Sequence, residues 1–174
     1  MAEQDEAAQL RRRDPAAMAE AVARYQHRLY RYLIRLVREQ AAADDVYQQT
    51  WLNVVRKIGS FDARAKFDTW LFAIAHNAAM DFLRRKTGES LEDSPASEPD
   101  ALTLAVEAER TTILETAVAG LPAVYREALT LRFEEGMKLE EIASVMHVPL
   151  STAKSRVQRG LEMLRRRWRK EDFL

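Results

Sequence analysis

The sequence contains no cysteine, which removes disulfide frameworks, thiolate metal sites and thiol nucleophiles together. Its three histidines, His27, His76 and His147, lie far apart along the chain without metal-ligand spacing. Glycine and proline occur only five times each in 174 residues, and runs of alternating β-branched residues are almost absent, so there is little material for sheets. No apolar run approaches the ~18 residues of a membrane span, and the opening stretch MAEQDEAAQLRRRD lacks the apolar core of a signal peptide. These absences point to a cytoplasmic protein without membrane insertion. No glycine-rich phosphate loop, metal cluster or nucleophile–base pair is present to support an enzyme, and no cofactor is implied.

What the chain has instead is abundant Ala, Leu, Glu and Arg, the composition of helices. Formal net charge is zero, but the two signs are segregated. Thr87 to Glu109 holds seven acidic residues and no basic one, whereas Lys154 to Lys170 holds eight Lys or Arg against the single Glu162. The expected fold is all-α: two small helical domains, residues 14–86 and 102–170, joined by a flexible acidic linker over 87–101. The linker sequence TGESLEDSPASEPD is polar and carries two prolines, too little apolar surface to fold alone. Its fourteen residues span at most ~50 Å, enough to hold two modules apart on a large partner.

In the N-terminal part, Asp14-Pro15 has the form of a helix start, followed by Met18, Val22, Tyr25, Leu29, Leu33 and Leu36 at three- and four-residue spacing. A second helix is expected from Asp44-Asp45, with Tyr47, Trp51, Val54, Val55 and Ile58 on one stripe and Asp45, Gln48, Gln49 and Arg56 opposite. A third, after a loop from Gly59 to Lys66, is expected to bury Phe67, Leu71, Ile74, Ala78 and Phe82. Three such helices close a small bundle. Beyond the linker, helices are expected around Leu102 to Val118 and Pro122 to Phe133, then a helix-turn-helix after Gly136.

The terminal segment LEEIASVMHVPLSTAKSRVQRGLEMLRRR has the pattern of a helix, a tight turn at His147-Val148-Pro149 and a basic second helix suited to a DNA groove. Ala143 supplies the small residue needed where the two helices cross. Ala153, Val157, Leu161 and Leu164 form the inward stripe, leaving Ser151, Thr152, Lys154, Ser155, Arg156, Gln158 and Arg159 for bases and phosphates. Spacing alone admits plainer readings elsewhere. Asp45, Gln48 and Gln49 fit a solvated helix face as well as an interface. Asn77, Asp81, Arg84 and Arg85 share one side of the third helix, where basic residues suit either a strand backbone or the helix dipole. Trp70 fits the core better than a stacking platform, and His76 has no partner in the sequence pattern.

The order of these pieces carries more than any one of them. DDVYQQTWLNVVRK, then GSFDARAKFDTWLFAIAHNAAMDFLRRK, an acidic linker, LPAVYREALTLRF and the terminal helix-turn-helix together closely resemble a bacterial sigma factor of the extracytoplasmic-function group, within the sigma-70 family. The resemblance extends from about Tyr25 to Arg167 and implies a dissociable, non-catalytic subunit of RNA polymerase, a monomer within the holoenzyme, with sigma-2 and sigma-4 domains. It implies that the helix from Ala43 to Lys57 docks on the polymerase core, making Asp44, Asp45, Gln48 and Gln49 interface candidates; Gln49 stands where the family motif has a carboxylate. Phe61 and Asn77 match positions that hold a flipped-out base of the minus-ten element, with Arg84 and Arg85 on the adjoining backbone, and a base out of the stack does need an apolar wall and an amide. For Phe61 the alternative is a plug capping the bundle. The terminal domain would read a minus-thirty-five element; His147 replaces the glycine common at its turn, and Ala153 a larger branched residue. The short N-terminal region implies a separate anti-sigma protein as regulator. The competing reading is a stand-alone helix-turn-helix regulator whose bundle binds a ligand or dimerises.

Overall fold

A computed structural model describes residues 2–88 and 113–171, without side-chain detail at 2–4, 113–114 and 168–171. The expected linker, apart from Thr87 and Gly88, and the first half of the helix expected from Leu102 lie outside the described residues. Among the described residues there is no strand.

The N-terminal unit comprises α1 (Ala2–Arg11), α2 (Pro15–Val37), α3 (Gln40–Lys57), a 3-10 turn at Ile58–Ser60 and α4 (Phe67–Thr87). Helix α2 begins as its sequence specifies: Pro15 opens the first turn and the Asp14 carboxylate accepts the Ala17 N–H at 2.9 Å. Helix α3 starts four residues earlier than expected, because the Ala41-Ala42-Ala43 run propagates a helix without a side-chain cap. Its inward stripe is also rotated. Ala42, Ala43, Val46, Thr50 and Val54 are buried, Tyr47 and Trp51 are half-buried, and Val55, expected inside, is 46% exposed. Helix α1 was not anticipated from the sequence; its Ala7 and Leu10 are buried with Ile58 and Phe61.

The C-terminal unit comprises α5 (Ile113–Ala119), α6 (Ala123–Leu129), a π-helical turn at Thr130–Glu134, α7 (Leu139–Met146) and α8 (Leu150–Glu171). The wide turn is closed by the Glu135 N–H donating to the Thr130 carbonyl at 3.1 Å. Helices α6 and α8 come close at Gly160, where a Cβ would meet Leu129 Cγ at 3.0 Å. Helix α7 starts with half of a capping box, the Glu141 carboxylate accepting the Lys138 N–H at 2.8 Å, and ends at His147 with φ 53° and ψ 44°. Left-handed backbone at a residue with a Cβ costs ~1–2 kcal/mol.

The two units are packed together, although the linker alone would leave their separation undetermined. Helix α7 lies on α4 and α6 on α2, and buried residues of both units join in one cluster. This explains a burial pattern on α4 broader than one amphipathic stripe. Besides Leu71, Ile74 and Ala78, the helix buries Phe72, Ala75, His76, Ala79, Met80 and Leu83, because it is sandwiched between its own bundle and the second unit.

Candidate DNA and protein interfaces

Helix α8 buries Ala153 and Val157 against α6 and α7, with Leu161 and Leu164 half-buried beside them. That fixes which side faces out. Ser151, Lys154, Gln158 and Arg159 are exposed, and Thr152, Ser155 and Arg156 are half-buried at its margin. The seven residues therefore form one polar, basic strip along the first turns of α8, which begin immediately after the His147 turn.

On α3, Asp44, Asp45, Gln48 and Gln49 are all exposed. The Tyr30 hydroxyl donates to Asp44 Oδ1 at 2.8 Å, and the Gln49 amide donates to Asn53 Oδ1 at 3.0 Å. Burial, followed by this bond to Asp44, raises the Tyr30 pKa above its ordinary value. Leu52 and Val55 add exposed apolar surface to the same helix. A face combining carboxylates, amides and two exposed aliphatic side chains is suited to a protein partner.

The minus-ten candidates are divided by the structure. Asn77, Arg84 and Arg85 are exposed on α4, Arg84 lying 3.7 Å from Asp81. Phe61 is only 2% exposed, with its ring 5.2 Å from Trp70 and 5.6 Å from Phe67 and with Leu10 of α1 in the same cluster. In this conformation it plugs the end of the bundle and meets open space only where it lines the cavity beside it. A neighbouring cavity of about 330 Å³ is lined by Tyr25, Arg64, Lys66 and Phe67 among others.

Sequence reasoning missed a polar cluster between the units. Glu127 of α6 is completely buried; its Oε1 accepts the Tyr32 hydroxyl at 2.5 Å and lies 2.6 Å from His76 Nδ1. His76 is therefore a structural contact and not an incidental residue. Burial, reinforced by the adjacent Glu127, pushes the Tyr32 pKa well up. Beside it, Arg126 donates to the Leu36 carbonyl at 2.8 Å, satisfying a last-turn carbonyl of α2, and burial lowers its pKa to about 10. The signal was legible in part: Glu127 interrupts the apolar series Ala123, Val124, Ala128 and Leu131, as a charged residue facing inward would. Its partners lie 95 and 51 residues away, beyond any local pattern.

The sequence has a close correspondence to known families. Residues 21–89 match Sigma-70 region 2 and residues 111–164 match Sigma-70 region 4. Myxococcus xanthus RNA polymerase sigma factor CarQ is 36% identical, over 86% of this chain and 87% of that protein.

The chain belongs to the extracytoplasmic-function sigma factors of the sigma-70 family.

Among other relatives of this sigma factor, the Bacillus subtilis ECF RNA polymerase sigma factor SigW is 28% identical over 92% of this chain and 94% of its own. The fold is similar to that of CnrH in complex with the cytosolic domain of CnrY, with a TM-score of 0.74, 22% identity and coverage of 98% of this chain and 99% of that one. It is also similar to RpoE bound to the anti-sigma factor NepR from Bartonella quintana, with a TM-score of 0.66, 24% identity and coverage of 85% and 94%. In this sigma factor the region 2 match takes in most of α2, all of α3 and α4, and the candidate faces on them. The region 4 match takes in α5 to α7 and the outward strip of α8. No helix among the described residues is long and apolar enough to cross a membrane.

Proposed function

We propose that this sigma factor is a non-catalytic initiation subunit that binds core RNA polymerase, reads a minus-thirty-five element with α8 and opens and holds the minus-ten element with the N-terminal unit. The observation that carries the reading is the pairing, in one chain and in family order, of a region 2 unit with a region 4 unit whose basic helix strip faces outward. Asp44, Asp45, Gln48 and Gln49 are assigned to the polymerase. Arg156 is assigned to bases and Lys154 to phosphate, with Ser151, Thr152, Ser155, Gln158 and Arg159 around them. Asn77, Arg84 and Arg85 are assigned to the minus-ten strand, and Phe61 joins them only if the loop carrying it rearranges. The partners are core polymerase, promoter DNA and an anti-sigma protein; the names of two similar structures place an anti-sigma factor or a second protein beside the relative. The factor is assigned to the cytoplasm, where polymerase acts.

The deciding experiment is run-off transcription by purified core polymerase on a genomic fragment library, with and without the chain. New start sites that depend on the chain are expected. A protein that never associates with core polymerase, yet binds a palindromic duplex tightly as a dimer, would instead be a stand-alone regulator. Replacing both Asp45 and Gln48 with Arg should weaken polymerase association without loss of helix content. Arg156→Ala should cost ~1–3 kcal/mol at one base position, whereas Lys154→Ala should weaken all sequences alike and lower the salt slope by about one.

A further inference from the structure

Four large apolar side chains are exposed among the described residues: Leu52, Val55, Phe133 and Leu150. Leu52 and Val55 lie three residues apart on α3, beside the carboxylates and amides assigned to a protein partner. Leu150 is placed differently. It is the first residue of α8, 47% exposed, and directly precedes the polar strip that begins at Ser151.

The helix does not need this side chain in order to start. The Pro149 carbonyl accepts the Thr152 N–H at 3.0 Å and the Ala153 N–H at 3.1 Å, so backbone bonds open α8. By spacing, Leu150 continues the inward series of Ala153, Val157, Leu161 and Leu164 by one more turn. Ala153 is fully buried and Leu150 is not, so the series runs past the edge of the core. Side chains on a helix tilt toward its N-terminus, which carries Leu150 ahead of the helix tip. Its exposed neighbours Ser151 and Lys154, with Gln158 a turn further on, are all polar. A single apolar side chain at the head of a basic strip is a poor centre for a protein interface, which needs a larger desolvated apolar patch. It does match the one apolar feature of the major groove, the thymine 5-methyl group, and the first residues of a recognition helix are those that reach base edges.

We infer that Leu150 is a specificity-determining residue for the minus-thirty-five element, covering the 5-methyl group of a thymine while Ser151, Lys154 and Gln158 supply the polar contacts around it. The inference rests on the function proposed above. Hydrogen-bonding side chains distinguish bases by their polar edges and do not sense the methyl group, which only apolar contact reads. Closing that contact removes apolar surface from water on both partners and neutralises no phosphate, so it adds to base selectivity without adding to the salt dependence of binding.

The test uses holoenzyme, assembled from the full chain and core polymerase, on a promoter duplex recovered by the run-off experiment. Each thymine of the minus-thirty-five element, on either strand, is replaced in turn by deoxyuridine, which removes the methyl group and leaves every hydrogen-bonding group in place. At one thymine, wild type should lose about fourfold in affinity, the worth of burying one methyl-sized group. Leu150→Ala, an exposed substitution that favours helix, should bind the thymine duplex about fourfold more weakly than wild type and lose nothing more on the deoxyuridine duplex. Its salt slope should equal that of wild type, whereas Lys154→Ala lowers the slope by about one. Its affinity for core polymerase without DNA should be unchanged. Equal losses at every thymine in both proteins, or a minus-thirty-five element without an A·T pair, overturn the inference. Weaker binding of Leu150→Ala to polymerase alone also overturns it, in favour of a protein contact, and a lowered salt slope would assign the loss to a displaced Lys154. Specific promoter occupancy without this coupling removes only the role of Leu150; a chain that directs polymerase to no promoter removes the proposed function, and this inference with it.

Discussion

The bundle core of the N-terminal unit and the interface it shares with the C-terminal unit are both buried, yet they are built from different chemistry. The bundle is closed by Leu29, Leu33, Leu36, Ala43, Val54, Leu71 and Ala75, all fully buried and all apolar. At the interface the apolar core continues from α4 into the second unit, but Tyr32, His76, Arg126 and Glu127 add buried polar groups to it, ringed by the Arg28, Arg35 and Lys66 ion pairs. Apolar burial has no substitute in water, at ~25 cal/mol per Å². A hydrogen bond or exposed ion pair has one: its net worth is only ~0.5–1.5 kcal/mol for the first and ~0–1 kcal/mol for the second. The same chain therefore contains one contact set that is wholly apolar and another in which polar contacts, exchangeable for water or a partner, are set into apolar burial.

The largest break in this contrast should come from Leu29→Ala, which removes a fully buried side chain from the bundle. A loss of ~2–5 kcal/mol is expected in denaturant unfolding, with the helices of the N-terminal unit melting first. Recovery of wild-type stability would mean that the bundle collapses around the gap.

Tyr32→Phe should act at the interface alone. It removes the hydroxyl that Glu127 accepts, leaving a buried carboxylate short of a donor, and should cost ~1–3 kcal/mol of interface stability. Hydrogen exchange should speed up on α6 and on the facing side of α4, while the amides around Leu29 keep their protection. Equal loosening of both regions would show that bundle and interface melt as one.

A smaller effect is expected at Gly160, where a new Cβ would press Leu129 Cγ at 3.0 Å. Overpacking costs ~1–3 kcal/mol, and Ala regains about 1 kcal/mol of helix propensity over Gly, so Gly160→Ala should be mildly destabilising. Adding Leu129→Val should recover part of the difference in thermal unfolding, because it trims the side chain in the way.

The smallest effect should be at His147. Burial, then the nearby His76, lower its pKa below the ordinary 6.5, so the folded chain favours the neutral ring. Its contribution is complete above pH 6.5 and is lost below it, as pH falls through the lower value of the folded chain. His147→Gly should flatten this part of the pH dependence and relieve the strain of φ 53°, leaving stability at pH 7.5 within ~1 kcal/mol of wild type. Titration of unfolding free energy from pH 8 to pH 5 for both proteins checks the slope.

Much of this molecule was legible along the chain because its determinants are local. The Asp14-Pro15 start of α2, the His147 turn, and the division of α8 into a buried Ala153–Val157 side and an outward polar strip follow from caps and a helical period. The exposure of Asp45, Gln48 and Gln49 followed from the same period, although the Ala41–Ala43 run began α3 early and a rotated stripe left Val55 outside. A local reading could not place Phe61, since its burial depends on α1 as well as on its own loop.

The sequence by itself determined a helical fold, the separation of an acidic segment from a basic helix, and the side of α8 that faces water, since each depends on residues within a turn or two. Only the tertiary structure decided that α4 is covered on both sides, that His76 and Tyr32 meet Glu127, and that a π-helical turn brings Glu134 and Glu135 to Arg35 and Arg28. Those contacts join residues 51 to 107 positions apart. Their geometry exists only once two helical units have packed, and no periodicity within either unit encodes it.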